Sequence, residues 1–518
     1  NDQTKHTVDI RESASVAHIY GQNLVAAESL TALGVGGTAW AYYPENLKPS
    51  VDLELANGLN RFVIHCSVHQ PNDDKIPGLG LGPFGQWYTR HETWANEASV
   101  WNAYLSRSSY MLQKGKFVAD VVYYYGEDNN ITYLFGKRPP AIPEGYNYDY
   151  INADALIHLL SAKDGRLVTP SGMSYRVLVL DSNAVRMSLP VLRKINALAK
   201  AGAIITGVKP TTPLGLEDQT DEFSRLVNDT WSPSNKNVTE VKSIDELNID
   251  LDFTYNKPQS NTKLLWVHRK TNDRDIYWIN NRNDRVEDIE ATFRIAGKTP
   301  ELWSAETGRK EALSYTITNG VTKVKLHMEP NDAFFVVFKD KSVKNAVELR
   351  KAETKDLATI EGSWKVKFQI NRGAPANATF DKLVSFSENA DAGIKYFSGT
   401  AVYSKTIQAS KEWFAADTEL WLDLGDVKNL AEVIVNGKSL GILWKHPFRV
   451  NVTNALKPGE NNIEIRVTNL WVNRLIGDAQ PNVANKITFT TMPFYQANSK
   501  LLPSGLLGPV KFVELVRK

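Results

Sequence analysis

The side chains with the most chemistry to offer cluster in the first hundred residues. Asn23-Leu-Val-Ala-Ala-Glu28 is a short apolar run that ends on a carboxylate. An acid at the tip of a buried strand is costly without a purpose or a partner, so Glu28 reads either as a catalytic group or as half of a structural ion pair. His65 and His69 stand four apart in His-Cys-Ser-Val-His. That spacing suits a metal pair on a helix, but the segment reads as a strand end and lacks the Glu that follows the first His in zinc proteases. Hydroxyl binding in a site and structural packing remain the two larger readings. Arg90-His-Glu-Thr-Trp94 precedes a helix and either supplies hydrogen bonds and a stacking face or caps that helix. Gly80-Leu-Gly-Pro-Phe-Gly85 matches the dinucleotide fingerprint in letters only. It follows a polar stretch rather than a strand and contains Pro83, so a loop over a site is the better reading.

These residues need strands and helices to hold them. The stretch from Val8 to Gly21 is amphipathic and stops at a glycine; a second helix, roughly Glu45 to Asn57, feeds the apolar run Asn60 to His65. Apolar runs separated by helices predict parallel strands covered on both faces, with chemistry at their carboxyl ends. Glu28 and His65 hold that position. A clear helix follows from about Trp94 to Gly115. The pattern then restarts: strand Phe117 to Tyr125, helix Asp149 to Leu160, strand Tyr175 to Leu180, helix Leu189 to Gly202 and strand Ala203 to Gly207 read as a doubly wound α/β domain. From about 245 short strands alternate with turns, as in a β-sandwich; Lys339 to Lys355 reads as a charged linker, and the rest is again all-β. Val435-Asn-Gly-Lys438 predicts a two-residue hairpin turn, because Asn-Gly accepts positive φ. Leu443-Trp-Lys-His-Pro-Phe448 is an aromatic patch suited either to sugar or to a neighbouring surface.

The 518 residues predict roughly three or four domains. Hydrophobic residues at 42% and charged residues at 23% fit globular cores and exclude a disordered or fibrous chain. Lys and Arg number 60 against 58 Asp and Glu, so no basic excess supports a nucleic-acid partner. No apolar run reaches the ~18 residues needed to span a bilayer. The one cysteine, Cys66, excludes an internal disulfide and a multi-cysteine zinc site. It also denies the α/β domain, which has an amidotransferase-like outline, any nucleophilic thiol. Five Asn-x-Ser/Thr sequons, at Asn130, Asn228, Asn237, Asn377 and Asn451, carry no weight in a bacterial protein.

Ala431-Glu-Val-Ile-Val-Asn-Gly-Lys-Ser-Leu-Gly441, continued through Trp444-Lys-His-Pro-Phe448 to Asn461 and Val467-Thr-Asn469, resembles the galactose-binding-like jelly-roll of several glycoside hydrolases. Upstream, Val25-Ala-Ala-Glu-Ser29, Gly58 to His65, His69-Gln-Pro71, the Trp94 helix with Tyr104-Leu-Ser-Arg107, and Val118 to Gly126 extend the likeness. The whole order resembles the carboxyl-terminal half of glycoside hydrolase family 106, the α-L-rhamnosidases. The resemblance implies a multidomain α/β plus all-β protein: residues 1–115 as the last part of a (β/α)8 barrel, 116–240 as the doubly wound domain, 241–345 as a β-sandwich and 346–518 as the jelly-roll.

It further implies inverting hydrolysis of terminal α-L-rhamnosyl linkages, calcium in the site, and Glu28 as general base at the end of the seventh barrel strand. His65, His69 and His91 are then expected as contacts to sugar hydroxyls, with Trp94 or Trp40 as stacking faces. The general acid and first six strands are expected on an amino-terminal fragment of the same enzyme, so the chain is read as starting inside a domain. A periplasmic or extracellular location is expected. Two rival readings stay open: a retaining β-galactosidase-like enzyme with Glu28 as nucleophile, and a non-catalytic carbohydrate-binding or scaffold protein.

Overall fold

The computed structural model describes residues 7–31, 33, 37–84, 88–128, 130–131, 140, 142–215, 220–240, 244–415 and 418–517. Gly85, the last glycine of the Gly80 stretch, lies outside them. The chain divides into two compact units, one of residues 1–27, 52–62 and 106–349, the other of 28–51, 63–105 and 350–518. The segment 1–115, expected as one partial domain, is therefore shared between them, while the predicted α/β and sandwich segments lie in the same unit.

The opening segment runs α1 (Thr7–Tyr20), β1 (Ala26–Ser29), α2 (Pro44–Ala56), β2 (Arg61–Ile64) and α3 (Ala98–Leu112). Backbone bonds from Asn60 N–H to Val25 C=O and from His65 N–H to Ser29 C=O advance in the same direction on both strands, as parallel pairing requires. Asn60 fixes the start of β1 by accepting from Val25 N–H and donating to Asn23 C=O. The expected burial of both faces is not found. Exposed residues alternate with partly buried ones in β2, and Glu28 itself is exposed, because β1 and β2 form a two-stranded sheet.

In the first unit a five-stranded sheet takes the order Val238–Thr239, Ile204–Gly207, Val177–Leu180, Val121–Tyr124, Tyr148–Ile151, with every pairing parallel. The helix Leu189–Lys200 covers it because Val191, Leu192, Ile195 and Leu198 recur at helical spacing and are buried. Two predicted boundaries shift. Asp149 belongs to a strand, and the helix after it starts only at Ala153, where the Asn152 side chain caps it by accepting from Ala155 N–H. Lys116–Phe117 is separate from Val121–Tyr124 and forms an edge of the sandwich, antiparallel to Leu264–Lys270. Gly115 permits that approach: its φ is +60°, and a Cβ there would sit 2.0 Å from the Lys270 carbonyl oxygen.

The sandwich pairs a six-stranded with a five-stranded sheet around Phe253, Tyr277, Phe293, Val336 and Phe338. The expected linker is not a linker. Ala333–Lys341 ends within it, Ala346–Val347 adds a strand to the sandwich, and Ala352–Thr359 is an edge strand of the second unit. In that unit a four-stranded and a six-stranded antiparallel sheet enclose Trp364, Phe368, Tyr403, Leu422, Val433, Ile465 and Phe512. Its hairpin turns at Asn436 and Gly437, whose φ values of +51° and +80° are those the Asn-Gly pair was expected to supply.

Candidate active site

Glu28 stands at the carboxyl end of β1 with its side chain in solvent. Thr31 Oγ1 donates to Glu28 Oε1 at 2.7 Å, which fixes one oxygen of the carboxylate. Two residues on, Leu30 is held at φ +61°, a left-handed conformation costly for a bulky side chain and typical of functional turns. Cys66 lies near enough that the Glu28 charge acts on it: burial first, and then that charge, push the thiol up from its ordinary value. A thiol held protonated is a poor nucleophile, so Cys66 does not compete with Glu28 for chemistry.

His65 follows β2 and is partly buried, with a buried Nδ1 that has no hydrogen-bond partner. His69 is exposed. His91 lines a polar cavity of the second unit, where its Nε2 bonds Asp73 at 3.2 Å. The two tryptophans do not offer stacking faces. Trp40 is 0% and Trp94 1% exposed; Trp94 donates its indole N–H to the Tyr42 carbonyl and meets Tyr88 edge-on. Trp444, in the patch that suited sugar or packing, does pack: it is buried edge-on against Trp101 at 5.3 Å, beside Tyr104.

Sequence reasoning noted Arg90 to Trp94 as a cluster but not its most unusual member. Glu92 is 4% exposed, and neither carboxylate oxygen meets a hydrogen-bond donor in good geometry. Burial pushes its carboxyl well above the usual range, with only partial relief from the Trp94 side chain. Arg372, which lines the same cavity, was not singled out. Among the described residues no group of three or more His, Cys, Asp or Glu side chains is placed to hold a metal ion. Calcium also takes carbonyl, amide and water oxygens, so the ion implied by the resemblance stays an expectation.

The profile of the α-L-rhamnosidase family, glycoside hydrolase family 106, matches residues 1–317. The chain belongs to this family. A second profile, the galactose-binding-like domain of glycosyl hydrolase family 2, matches residues 381–496, within the jelly-roll strands of this rhamnosidase-family chain. A solved rhamnosidase from a Novosphingobium species is 43% identical, with a TM-score of 0.93 over 98% of this chain and 49% of its own. A protein of Formosa agariphila provisionally named a beta-glucuronidase is 28% identical, over 98% of this chain and 64% of its own length. The chain thus spans about half to two thirds of the length of these relatives. No helix among the described residues is long and apolar enough to cross a membrane.

Proposed function

We propose that this chain is the carboxyl-terminal portion of an inverting α-L-rhamnosidase, with Glu28 as general base. The observation that carries the reading is the strand-end carboxylate, exposed and oriented by Thr31 through one oxygen. In this role Glu28 Oε2 takes a proton from the water that attacks the anomeric carbon of a terminal rhamnosyl unit. A second carboxyl, roughly 6.5–9.5 Å away, protonates the departing oxygen. That acid belongs to a portion of the enzyme outside this chain. His65, next to the Glu28 strand, offers Nδ1 to a sugar hydroxyl; the exposed His69 takes the same role at the rim.

The test is Glu28→Gln in a protein that includes the amino-terminal portion, assayed on an aryl α-L-rhamnoside. Loss of a general base lowers turnover by about 10²–10⁴-fold; near-normal turnover sinks the assignment. Proton NMR of the first-formed sugar separates the mechanisms. Inversion releases β-L-rhamnose, whereas α-L-rhamnose as first product makes Glu28 a nucleophile, as in the retaining alternative.

A further inference from the structure

The second unit contains a cavity of about 320 Å³ whose lining does not include Glu28. Its walls come from the loop between β2 and α3, through Asp73 and Arg90 to Asn96, and from the jelly-roll, through Gln369, Arg372 and Thr400. That volume lies at the small end of ligand cavities, which run from about 300 to 1,000 Å³. It admits one hexose-sized unit.

The polar groups around it are left unpaired to a degree that buried groups seldom are. Both oxygens of Glu92, Nδ1 of His91, Oγ1 of Thr93 and Nη1 of Arg372 are buried without a hydrogen-bond partner. A buried group of this kind costs stability while it is unsatisfied, and a ligand that pairs with it recovers that cost. They are also held in place. The Trp471 indole N–H donates to the His91 carbonyl at 2.8 Å, and the Arg372 guanidinium lies 4.5 Å from the centre of the same Trp471 ring. One buried indole therefore fixes both walls. Arg372 is set in a tight turn between Asn371 at φ +60° and Gly373 at φ +90°, and a Cβ on Gly373 would come within 2.7 Å of Arg474 Nη1.

The charges narrow the ligand. Arg90 is engaged, through Asp73 and the Gln70 carbonyl. Arg372 has no acidic partner among the described residues, and burial lowers its pKa with no opposing carboxylate. The cavity thus offers one uncompensated cation, which suits a single carboxylate better than a phosphate dianion. Glu92, kept neutral by burial, is both a donor and an acceptor. His91, whose Nε2–H donates to Asp73, is left with Nδ1 as an acceptor. Alternating donors and acceptors of this kind match vicinal hydroxyls.

We propose that this cavity binds an acidic sugar unit, a uronate, with its carboxylate on Arg372 and its ring hydroxyls on Glu92, His91 and Thr93. Glu28 is not among the residues that line it, and the cavity serves to hold an acidic neighbour in a polysaccharide.

The test is calorimetric titration of the 518-residue chain with methyl galacturonoside, methyl galactoside and acetate. The uronoside is expected to bind at least about tenfold more tightly than either of the others, and Arg372→Ala to remove that margin. Arg372→Lys keeps the charge and is expected to restore part of it. The proposal is overturned by equal affinity for uronoside and galactoside, by acetate binding as tightly as the uronoside, or by undiminished uronoside binding in an Arg372→Ala variant with an unchanged melting temperature. No binding at millimolar concentration overturns it as well. Because the readout is binding by a chain that needs no turnover, its failure leaves the assignment of Glu28 untouched.

Discussion

Two regions of this molecule bury charge, and they treat it in opposite ways. In the sandwich of the first unit a row of buried charges is paired from end to end. Arg294 bonds Asp120 at 2.9 Å and lies 3.5 Å from Asp252; His268 bonds Asp252 at 2.8 Å and Asp275 at 3.3 Å; Lys298 closes the row on Asp275 at 2.7 Å. Tyr277 donates a further bond to Asp252. Burial opposes ionisation of both Asp252 and His268. Their mutual attraction wins, holding the acid below and the imidazole above their ordinary values. In the second unit Glu92 and Arg372 line one cavity, and neither has an ion partner among the described residues. A network closed on itself has nothing to offer a ligand, whereas unpaired groups gain from one. The comparison separates buried charge that stabilises from buried charge that recognises.

The strongest way to break the comparison is to cut the closed network. Removing one member of a buried pair strands the other and costs about 3–5 kcal/mol. Asp252→Ala is therefore expected to lower the stability of the first unit by that amount in urea unfolding. The double variant Asp252→Ala/His268→Leu should recover part of the loss, since no buried imidazolium remains to be stranded. A loss below about 1 kcal/mol for the single variant would mean that water already screens the network.

The next test asks the opposite of the cavity: removal of a group able to ionise should help. The folded pKa of Glu92 is raised, so the unfolded chain ionises first and stability is lost as pH rises above the unfolded value of about 4.3. Until the folded carboxyl itself ionises, the loss amounts to about 1.4 kcal/mol per pH unit relative to a residue that cannot ionise. Glu92→Gln should thus match the wild type at pH 4 and be more stable at pH 6, in melting curves at the two pH values. If the variant is no more stable at pH 6, Glu92 has a partner and the cavity is closed after all.

The same contrast explains what the sequence disclosed. Local patterns were legible: α1 and α2, the hairpin at Asn436, and Glu28 at a strand end all follow from period, turn chemistry and position within a few residues. Ala352–Thr359 was misread because an edge strand rich in exposed charge carries no apolar alternation. Trp40 and Trp94 were read as stacking faces because residue type does not reveal whether an aromatic ring is buried. Glu92 stood within a cluster that was noticed, but its lack of partners depends on burial. Arg372 reaches the cavity from a distant segment, a placement that only the folded jelly-roll creates.

A third kind of charge lies between these extremes and gives the smallest effect. In the second unit His446 Nδ1 bonds Glu45 at 2.6 Å, with Asp426 at 3.5 Å from its other nitrogen, and the imidazole is 44% exposed. The Glu45 bond is the main reason that the His446 pKa is raised; burial opposes it. A raised folded pKa places the stabilisation below the unfolded value of about 6.5 and removes it as pH climbs through the folded one. Solvent screening keeps its size under about 1 kcal/mol. Glu45→Gln is therefore expected to cost a few tenths of a kcal/mol, by about that standard for exposed pairs, at pH 5.5 and nothing at pH 9. An equal cost at both pH values would show a hydrogen bond to neutral imidazole instead of an ion pair. The partly exposed pair would then belong with the packed polar contacts rather than on the scale that runs from the Asp252 network to the open cavity at Glu92.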